Sequence, residues 1–195
     1  RHRIALVLDE TYKDFLDPAV ARHGLFSDPH WAETLVQLSS FSKVFSLTGY
    51  RVGSLIGGPA VMAAVTKVMD TVSICAPHIG QAAAFHGLAH AWDWVAAKRA
   101  ELAERRSALS ALFAASDLGY ELISAGAYFA YVRHPFSGTP GRAVAERLAA
   151  EHNLLCLPGA FFGPGQDACL RLAYANMPAT EMAAVGDRLR ASADR

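Results

Sequence analysis

Short apolar segments that alternate with helical segments are the feature of this sequence that most restricts its fold. Ile4–Leu8 is an unbroken apolar run, which predicts a strand buried on both faces. Leu35–Leu38 and Val52–Ile56 predict two further short strands. Helices are predicted over residues 59–70, 79–90 and 92–115. This alternation is typical of an α/β domain with helices on both faces of its sheet.

The sequence after the third helix predicts a second, smaller unit of the α+β class. Strands are predicted at 128–132, 154–157 and 169–174, and helices at 142–152 and from about residue 179. We expect the boundary between the two units to fall inside the long helix. The sequence therefore predicts two domains, residues 1–100 and residues 101–195.

Composition argues against several classes of function. Lys+Arg and Asp+Glu number 18 each, so the chain lacks the basic excess that is typical of proteins that bind nucleic acids. No apolar run approaches the ~20 residues of a membrane-spanning helix. The three cysteines form neither a Cys-x-x-Cys pair nor a zinc-ligand pattern, which predicts a cytoplasmic protein without disulfides or a bound metal.

The first predicted strand begins close to the first residue. The chain opens with Arg-His-Arg and has no initiator methionine, and its first apolar run is too short for a signal peptide. A strand buried on both faces needs hydrogen-bonded neighbours on both sides. We therefore expect a longer protein whose N-terminal part is missing from this chain.

Lys43 has the most unusual setting of the four lysines. It follows a predicted strand, lies in a serine-rich segment, 39–46, and precedes Arg51 by eight positions. An amine beside another cation in a partly dry pocket favours its neutral form, which is the form that condenses with a carbonyl. The alternative interpretation is an ordinary solvated loop lysine.

Asp9, Tyr12 and Arg171 are three further candidates. Asp9 and Tyr12 come directly after the first predicted strand, and ligands of open α/β sheets bind beyond the carboxyl ends of strands. Each candidate also has a purely structural interpretation. Asp9 is typical of a turn, and Arg171 is typical of an edge-strand arginine whose stem covers apolar surface. None of these residues identifies a function by itself.

Four motifs occur together in this chain. They are Asp-Glu-Thr-Tyr at 9–12, Ser-Phe-Ser-Lys at 40–43, Leu-Thr-Gly-Tyr-Arg-Val-Gly at 47–53 and Arg-Leu-Ala-Tyr-Ala at 171–175. With these motifs in this order, the sequence from about residue 4 to its C-terminus resembles the class I/II aminotransferases, pyridoxal-phosphate enzymes of fold type I. The resemblance implies part of a large, mostly parallel cofactor domain, followed by a small α+β domain. It also implies a cytoplasmic homodimer that transfers an amino group from an L-amino acid to a 2-oxo acid.

The resemblance implies a catalytic or substrate-binding role for four residues. Lys43 would form a Schiff base with pyridoxal 5′-phosphate and then move a proton between substrate and cofactor. Asp9 would keep the pyridine nitrogen protonated, which makes the ring a better electron acceptor. Tyr12 would donate to the cofactor's phenolic oxygen, and Arg171 would bind the substrate α-carboxylate through two parallel hydrogen bonds.

The resemblance also implies a phosphate site. Ser40, Ser42 and Arg51 would hold the cofactor's phosphate, the serines through their hydroxyls and the arginine through charge-assisted hydrogen bonds. Gly49 and Gly53 would let the backbone turn and approach closely.

The chain also departs from the family pattern. The family's upstream half, which supplies a ring stacked on the cofactor and further phosphate contacts, has no counterpart in this sequence. Ala160 stands where the family often has serine. Near it, Phe161, Phe162 and Tyr128 either border the substrate side chain, favouring apolar substrates, or pack in the core of the small domain.

Two unrelated interpretations compete with this resemblance. Ser40-x-x-Lys43 also occurs in penicillin-recognising serine enzymes, but Lys-Thr-Gly is absent and the residues after Ser40 disfavour the helix which that site requires. His86 and His90 lie four positions apart on a predicted helix, a spacing that suits a metal, but no third ligand accompanies them.

Two other functions are compatible with the same aminotransferase motifs. One is an aminotransferase-like domain that senses an effector within a transcription regulator. The other is an inactive fragment that keeps the fold but has only half of the site.

Overall fold

The structure is a computed structural model that describes residues 4–17, 19–115 and 117–193. Within these residues the strands are β1 (Leu6–Asp9), β2 (Leu35–Ser40), β3 (Gly53–Gly57), β4 (Glu121–Gly126), β5 (Phe129–Arg133), β6 (Leu157–Pro158) and β7 (Cys169–Leu172). The helices are α1 (Phe41–Val44), α2 (Pro59–Val72), α3 (His78–His90), α4 (Trp92–Ala115), α5 (Gly141–His152) and α6 (Met182–Ala193). Short 3₁₀ turns connect several of these elements. The chain divides into two compact units within α4: unit 1 ends at Arg99 and unit 2 begins at Ala100.

The sheet of unit 1 has the strand order β1-β2-β3. β1 runs parallel to the central strand β2, whereas β3 is antiparallel to it. The prediction that the first strand is buried on both faces is wrong for this chain, because Leu6 is 46% exposed and Val7 is 59% exposed. β1 lies at the edge of the sheet and, within the described residues, pairs with a strand on one side only.

The buried core of unit 1 includes residues of the segment that follows β2. Val44, Phe45 and Val95 form a buried cluster that joins this segment to α4. The Phe45 ring also packs edge-on against Trp92, with centroids 5.6 Å apart. Gly87 of α3 lies so close to Phe45 that a Cβ there would approach its ring to 2.7 Å. These contacts fix the segment that carries Lys43.

Unit 2 is built on an antiparallel sheet with the order β4-β5-β7-β6. Ala130, Val132, Leu170 and Leu172 point to one face of this sheet and are buried in a large apolar core. Residues of α4, α5 and α6 complete that core. A single buried sheet face covered by helices is typical of an α+β unit.

Unit 2 differs in two strands from the sequence-based prediction. β4 was not predicted, because the alternation in Glu121–Gly126 is weak and its last residues are small. It forms through pairing with β5, in which Leu122 lies opposite Val132. The strand predicted at 154–157 is reduced to Leu157–Pro158, which pairs with β7. The fold class is nevertheless confirmed: an α/β unit is followed by an α+β unit.

Candidate active site

The candidate residues of unit 1 gather at one edge of its sheet. β1 and β2 run parallel, so their carboxyl ends, at Asp9 and Ser40, lie at the same edge. β3 begins at that edge too, because Gly53 pairs with Ser40. The connection between β2 and β3 contains Lys43 and Arg51. The fold therefore brings Asp9, Ser40, Lys43 and Arg51 to one edge of the sheet. Asp9 and Arg51 are 42 positions apart in the sequence.

Asp9 is an exposed carboxylate in a tight local turn. Its Oδ1 accepts hydrogen bonds from the Thr11 hydroxyl at 2.6 Å and from the Thr11 amide at 3.0 Å. The side-chain bond first, and then the backbone bond, hold the pKa of Asp9 below its usual range, and slight burial opposes them. Oδ2 makes no hydrogen bond within the described part of the chain. Asp9 is therefore a charged carboxylate with one oxygen, Oδ2, that has no partner in the described chain.

Ser40, Ser42 and Arg51 form a connected polar cluster. The Ser40 hydroxyl oxygen accepts from the Ser42 amide at 3.2 Å. Arg51 Nη1 donates to the Thr48 carbonyl at 2.7 Å and to the Ser42 hydroxyl at 3.5 Å. The Thr48 hydroxyl in turn donates to the Ser42 carbonyl at 3.0 Å. Two hydroxyls and a guanidinium in one short loop are a donor set that suits an anion. Sequence reasoning did not single out Thr48 or Thr11, whose roles depend on the folded loop.

Lys43 lies in α1, a helix of four residues. Ser40 caps this helix, and the packing of Val44 and Phe45 in the core holds it in place. The prediction that the residues after Ser40 disfavour a helix is therefore wrong, because capping and packing outweigh intrinsic propensity in so short a segment. Lys43 is half-buried and makes no hydrogen bond or ion pair with the rest of the described chain.

The two glycines of this loop differ in importance. A Cβ at Gly53 would lie 2.6 Å from the Ser39 carbonyl oxygen, so the close approach predicted there is confirmed. Gly49 lies in a 3₁₀ turn, but no described atom lies within 4 Å of a Cβ there and φ is not positive, so no contact within the described chain requires a glycine at this position. The left-handed turn falls instead on Arg51, with φ of 50° and ψ of 50°. A residue with a side chain in this conformation is uncommon and is often found at functional sites.

Tyr12 lies on the segment after β1, and a polar network that the sequence did not reveal anchors this segment. Tyr12 is half-buried and precedes a 3₁₀ turn. Beside it, Glu10 accepts from His23 Nε2 at 2.7 Å, from Lys13 Nζ at 3.4 Å and from the buried Gln37 of β2. This network ties the segment to the centre of the sheet and so helps to position Asp9 and Tyr12.

Arg171 belongs to unit 2, where it lies in β7 opposite Tyr131 of β5. It is half-buried, and its guanidinium packs over the rings of Phe129 and Phe162. It also lines a cavity of about 440 Å³ within unit 2. Phe161 is 62% exposed and does not pack in the core of this unit. Arg171 thus contacts Phe162, one of the aromatic residues that the sequence places beside the substrate side chain or in the core.

The two histidines with metal-ligand spacing stand side by side on α3. The ring centroids of His86 and His90 are 5.0 Å apart. No group of three or more His, Cys, Asp or Glu side chains that could hold a metal occurs in residues 4–17, 19–115 and 117–193. None of the described helices is both long and apolar enough to span a membrane.

Comparisons with known proteins find aminotransferases that are similar to this chain in sequence. An aromatic aminotransferase of Arabidopsis thaliana is 27% identical over 191 residues, and the match covers 95% of this chain but 46% of that protein. An aromatic amino acid aminotransferase of Rhodococcus jostii is 33% identical over 155 residues, covering 80% of this chain and 40% of that protein. The chain therefore spans less than half the length of these relatives.

The fold is shared with solved structures, and the family profile matches nearly the whole chain. The structure of an aromatic aminotransferase from Pyrococcus horikoshii superposes with a TM-score of 0.86 at 22% identity, covering 97% of this chain and 51% of that one. The profile of the family "Aminotransferase class I and II" matches residues 1–189. Together with the order of the four motifs, this match shows that the chain belongs to the class I and II aminotransferases.

Proposed function

We propose that this chain carries the catalytic lysine of a pyridoxal-phosphate-dependent aminotransferase, which transfers an amino group from an L-amino acid to a 2-oxo acid. The observation that carries the proposal is the grouping of Asp9, Ser40, Lys43 and Arg51 at one edge of the unit 1 sheet. Membership of the aminotransferase family supports the reaction class. The whole reaction is part of the proposal, because the chain spans 46% and 40% of the two relatives described above.

The chemistry of the donor set fits pyridoxal 5′-phosphate. A phosphate needs cationic and hydroxyl donors, and Arg51, Ser40 and Ser42 form such a cluster. A protonated pyridine nitrogen needs an anion, and the lowered pKa of Asp9 keeps its carboxylate charged. An aldehyde needs an amine, and Lys43 has no partner elsewhere in the described chain.

Each of the candidate residues of unit 1 then has a defined task. When bound, the cofactor supplies an aldehyde and an electron-withdrawing ring. Lys43 Nζ would attach it covalently and, once released, would accept and return the proton of the substrate Cα. Asp9 would hold a proton on the ring nitrogen through its free Oδ2. Tyr12 would donate a hydrogen bond to the phenolic oxygen.

Substrate recognition would depend on Arg171. Its planar guanidinium suits a carboxylate, which accepts two parallel hydrogen bonds in the guanidinium plane. A fixed α-carboxylate orients the Cα–H bond of an amino acid for proton removal. Binding at this one group leaves the side chain of the amino acid unspecified, so we propose an L-amino acid and a 2-oxo acid as the substrate classes.

We further propose that the protein acts as a cytoplasmic homodimer. The homodimer rests on resemblance to the family. The compartment is supported by the cysteines, since Cys75, Cys156 and Cys169 are all free thiols.

Titration with pyridoxal 5′-phosphate tests the proposed function. The purified chain is expected to develop the visible absorbance of a protein-bound cofactor, and each productive L-amino acid should bleach that band and release its 2-oxo acid. Lys43→Ala should lose the band, whereas Lys67→Ala, which changes an exposed lysine of α2, should keep it. Cofactor binding without release of a 2-oxo acid would favour a sensing domain or an inactive fragment. A band that is independent of Lys43 would contradict the proposal.

A further inference from the structure

Arg171 packs its guanidinium against two aromatic rings. Its Cζ lies 4.1 Å from the ring centroid of Phe129 and 4.6 Å from that of Phe162. A guanidinium over the face of a ring is attracted to the ring's electrons and stacks against it. Two such contacts restrict where the guanidinium plane can lie.

The two rings reach Arg171 from opposite sides of its strand. In the order β4-β5-β7-β6, β7 lies between β5 and β6. Phe129 belongs to β5 and is two residues from Tyr131, which pairs with Arg171. Phe162 ends the 3₁₀ turn that follows β6, whose Leu157 also pairs with Arg171. Two separate segments of unit 2 thus contribute one ring each.

The rings hold the guanidinium without occupying its donors. No hydrogen bond or ion pair engages Arg171 within the described residues, and its Nε is buried without a partner. A buried donor without a partner is unfavourable, so this arrangement favours any ligand that satisfies it. A ring contacts the face of a guanidinium, whereas a carboxylate binds in its plane.

The other arginines of unit 2 that make such contacts do not combine two rings with a cavity. Arg133 pairs with Glu121 on the adjacent strand at 2.5 Å, and Arg190 pairs with Asp187 at 2.6 Å. Arg147 packs over one ring, that of Phe136, at 4.1 Å, and like Arg171 it has a buried Nε without a partner in the described chain. Arg171 combines two ring contacts with a position on the wall of an open cavity.

We propose that Phe129 and Phe162 are positioning residues that hold the Arg171 guanidinium ready for a substrate carboxylate. The inference rests on the proposed function, in which Arg171 binds that carboxylate. Ring contacts fix the orientation of a long, flexible side chain before the ligand arrives, which lowers the entropy lost on binding. Phe162 is one of the residues that the sequence placed either beside the substrate side chain or in the core of unit 2.

Acetate binding to the full chain, followed by NMR of the Arg171 Nε–H group, tests this role. The resonance is assigned by its loss in Arg171→Lys. In the unsubstituted protein the two rings should move the chemical shift of this proton away from the value that is usual for arginine. Acetate should change the chemical shift further. Phe162→Leu and, separately, Phe129→Leu should move it back toward the usual value and weaken acetate binding about 2- to 10-fold. Phe162→Tyr, which keeps an aromatic ring, should retain both the chemical shift and the acetate affinity of the unsubstituted protein.

The control is Phe136→Leu, which removes the ring beside Arg147. It should leave the Arg171 resonance and acetate affinity unchanged, although it also removes an aromatic side chain from unit 2. If Arg171→Lys abolishes binding while both leucine variants at 129 and 162 bind acetate normally, the positioning role is overturned and the carboxylate site stands. If Arg171→Lys binds acetate as well as the unsubstituted protein, the carboxylate site itself is wrong, and the positioning role fails with it.

Discussion

Gly53 shows how one residue can determine the shape of the candidate site. Its lack of a side chain lets β3 approach β2 at the point where Ser40 leaves the sheet. The Ser39 carbonyl that a Cβ would meet belongs to the backbone, which cannot move aside without disturbing the pairing of the two strands. The position of the loop between β2 and β3, which carries Lys43 and Arg51, therefore depends on this glycine.

We expect Gly53→Ala to destabilise the chain and to weaken cofactor binding. The added methyl group would clash with the Ser39 carbonyl oxygen at 2.6 Å, a change that should cost about 1–3 kcal/mol of unfolding free energy. Urea denaturation measures the loss. Gly49→Ala is the matched control in the same loop, because nothing lies within 4 Å of its Cβ position, and it should be neutral or slightly stabilising. Equal losses in the two variants would contradict this account.

The residues of the site could be predicted from sequence to different extents. The positions of Asp9, Lys43 and Arg51 follow from motifs next to apolar strands, and such motifs are local. Gly49 and Gly53 look alike in the sequence, and only the distance to the Ser39 carbonyl separates them. The ring contact of Phe162 with Arg171 joins segments that the pairing of β6 and β7 brings together. Contacts of this kind depend on tertiary structure and leave no local pattern.

At the scale of elements, the connection from β2 through α1 to β3 is the central feature. A capped helix of four residues, a 3₁₀ turn and a left-handed Arg51 together fold this connection into a compact loop. Its polar groups bond to one another, as the Arg51 contacts with Thr48 and Ser42 show. An anion would therefore meet donors that are already oriented.

Arg51→Ala should weaken the binding of pyridoxal 5′-phosphate more than that of pyridoxal, which lacks the phosphate. A hydrogen bond to a charged group contributes about 1.5–3 kcal/mol, so affinity for the phosphorylated form should fall roughly 10- to 100-fold. Absorbance titrations with the two aldehydes measure the difference. Arg142→Ala, which changes an exposed arginine paired with Glu146, should leave both affinities unchanged. A similar loss for both aldehydes would show that Arg51 does not contact the phosphate.

Elements with strong local signals were predicted well, and this includes most of the strands, whereas β4, which lacks such a signal, was not predicted. α4 occupies the predicted range, Trp92–Ala115, because a long run of helix-forming residues determines it locally. β4 exists because β5 pairs with it. The burial expected for β1 requires neighbours on both of its sides, and within the described residues it has one.

At the scale of the whole chain, the two units differ in how they are stabilised. Unit 2 has an extensive apolar core that includes Leu109, Val132, Leu148 and Leu170, all at most 1% exposed. The buried cluster of unit 1 is far smaller, and Val7 and Phe85 of that unit are 59% and 74% exposed. We propose that unit 2 is a domain that folds without unit 1.

Residues 100–195 expressed alone should unfold in a single cooperative transition in urea, because the core of unit 2 lies within this segment. Burial raises the pKa of the Cys156 thiol to about 11 from 9.0, so at pH 8 the folded fragment should hold about 100-fold less of the reactive thiolate. Alkylation of Cys156 should accordingly be slow in the folded fragment and fast in concentrated urea. A broad urea transition with rapid alkylation in buffer would show that unit 2 needs unit 1.

The central claim is that Lys43 is the residue that binds the cofactor covalently, and chemical trapping tests it most directly. The chain would be incubated with pyridoxal 5′-phosphate, reduced with borohydride and digested, and the modified peptide would be identified by mass spectrometry. With four lysines in the sequence, the result separates the candidates cleanly. We predict one adduct, on the peptide that contains Lys43. An adduct on Lys13, Lys67 or Lys98 with Lys43 unmodified, or a label spread evenly over all four, would contradict the claim.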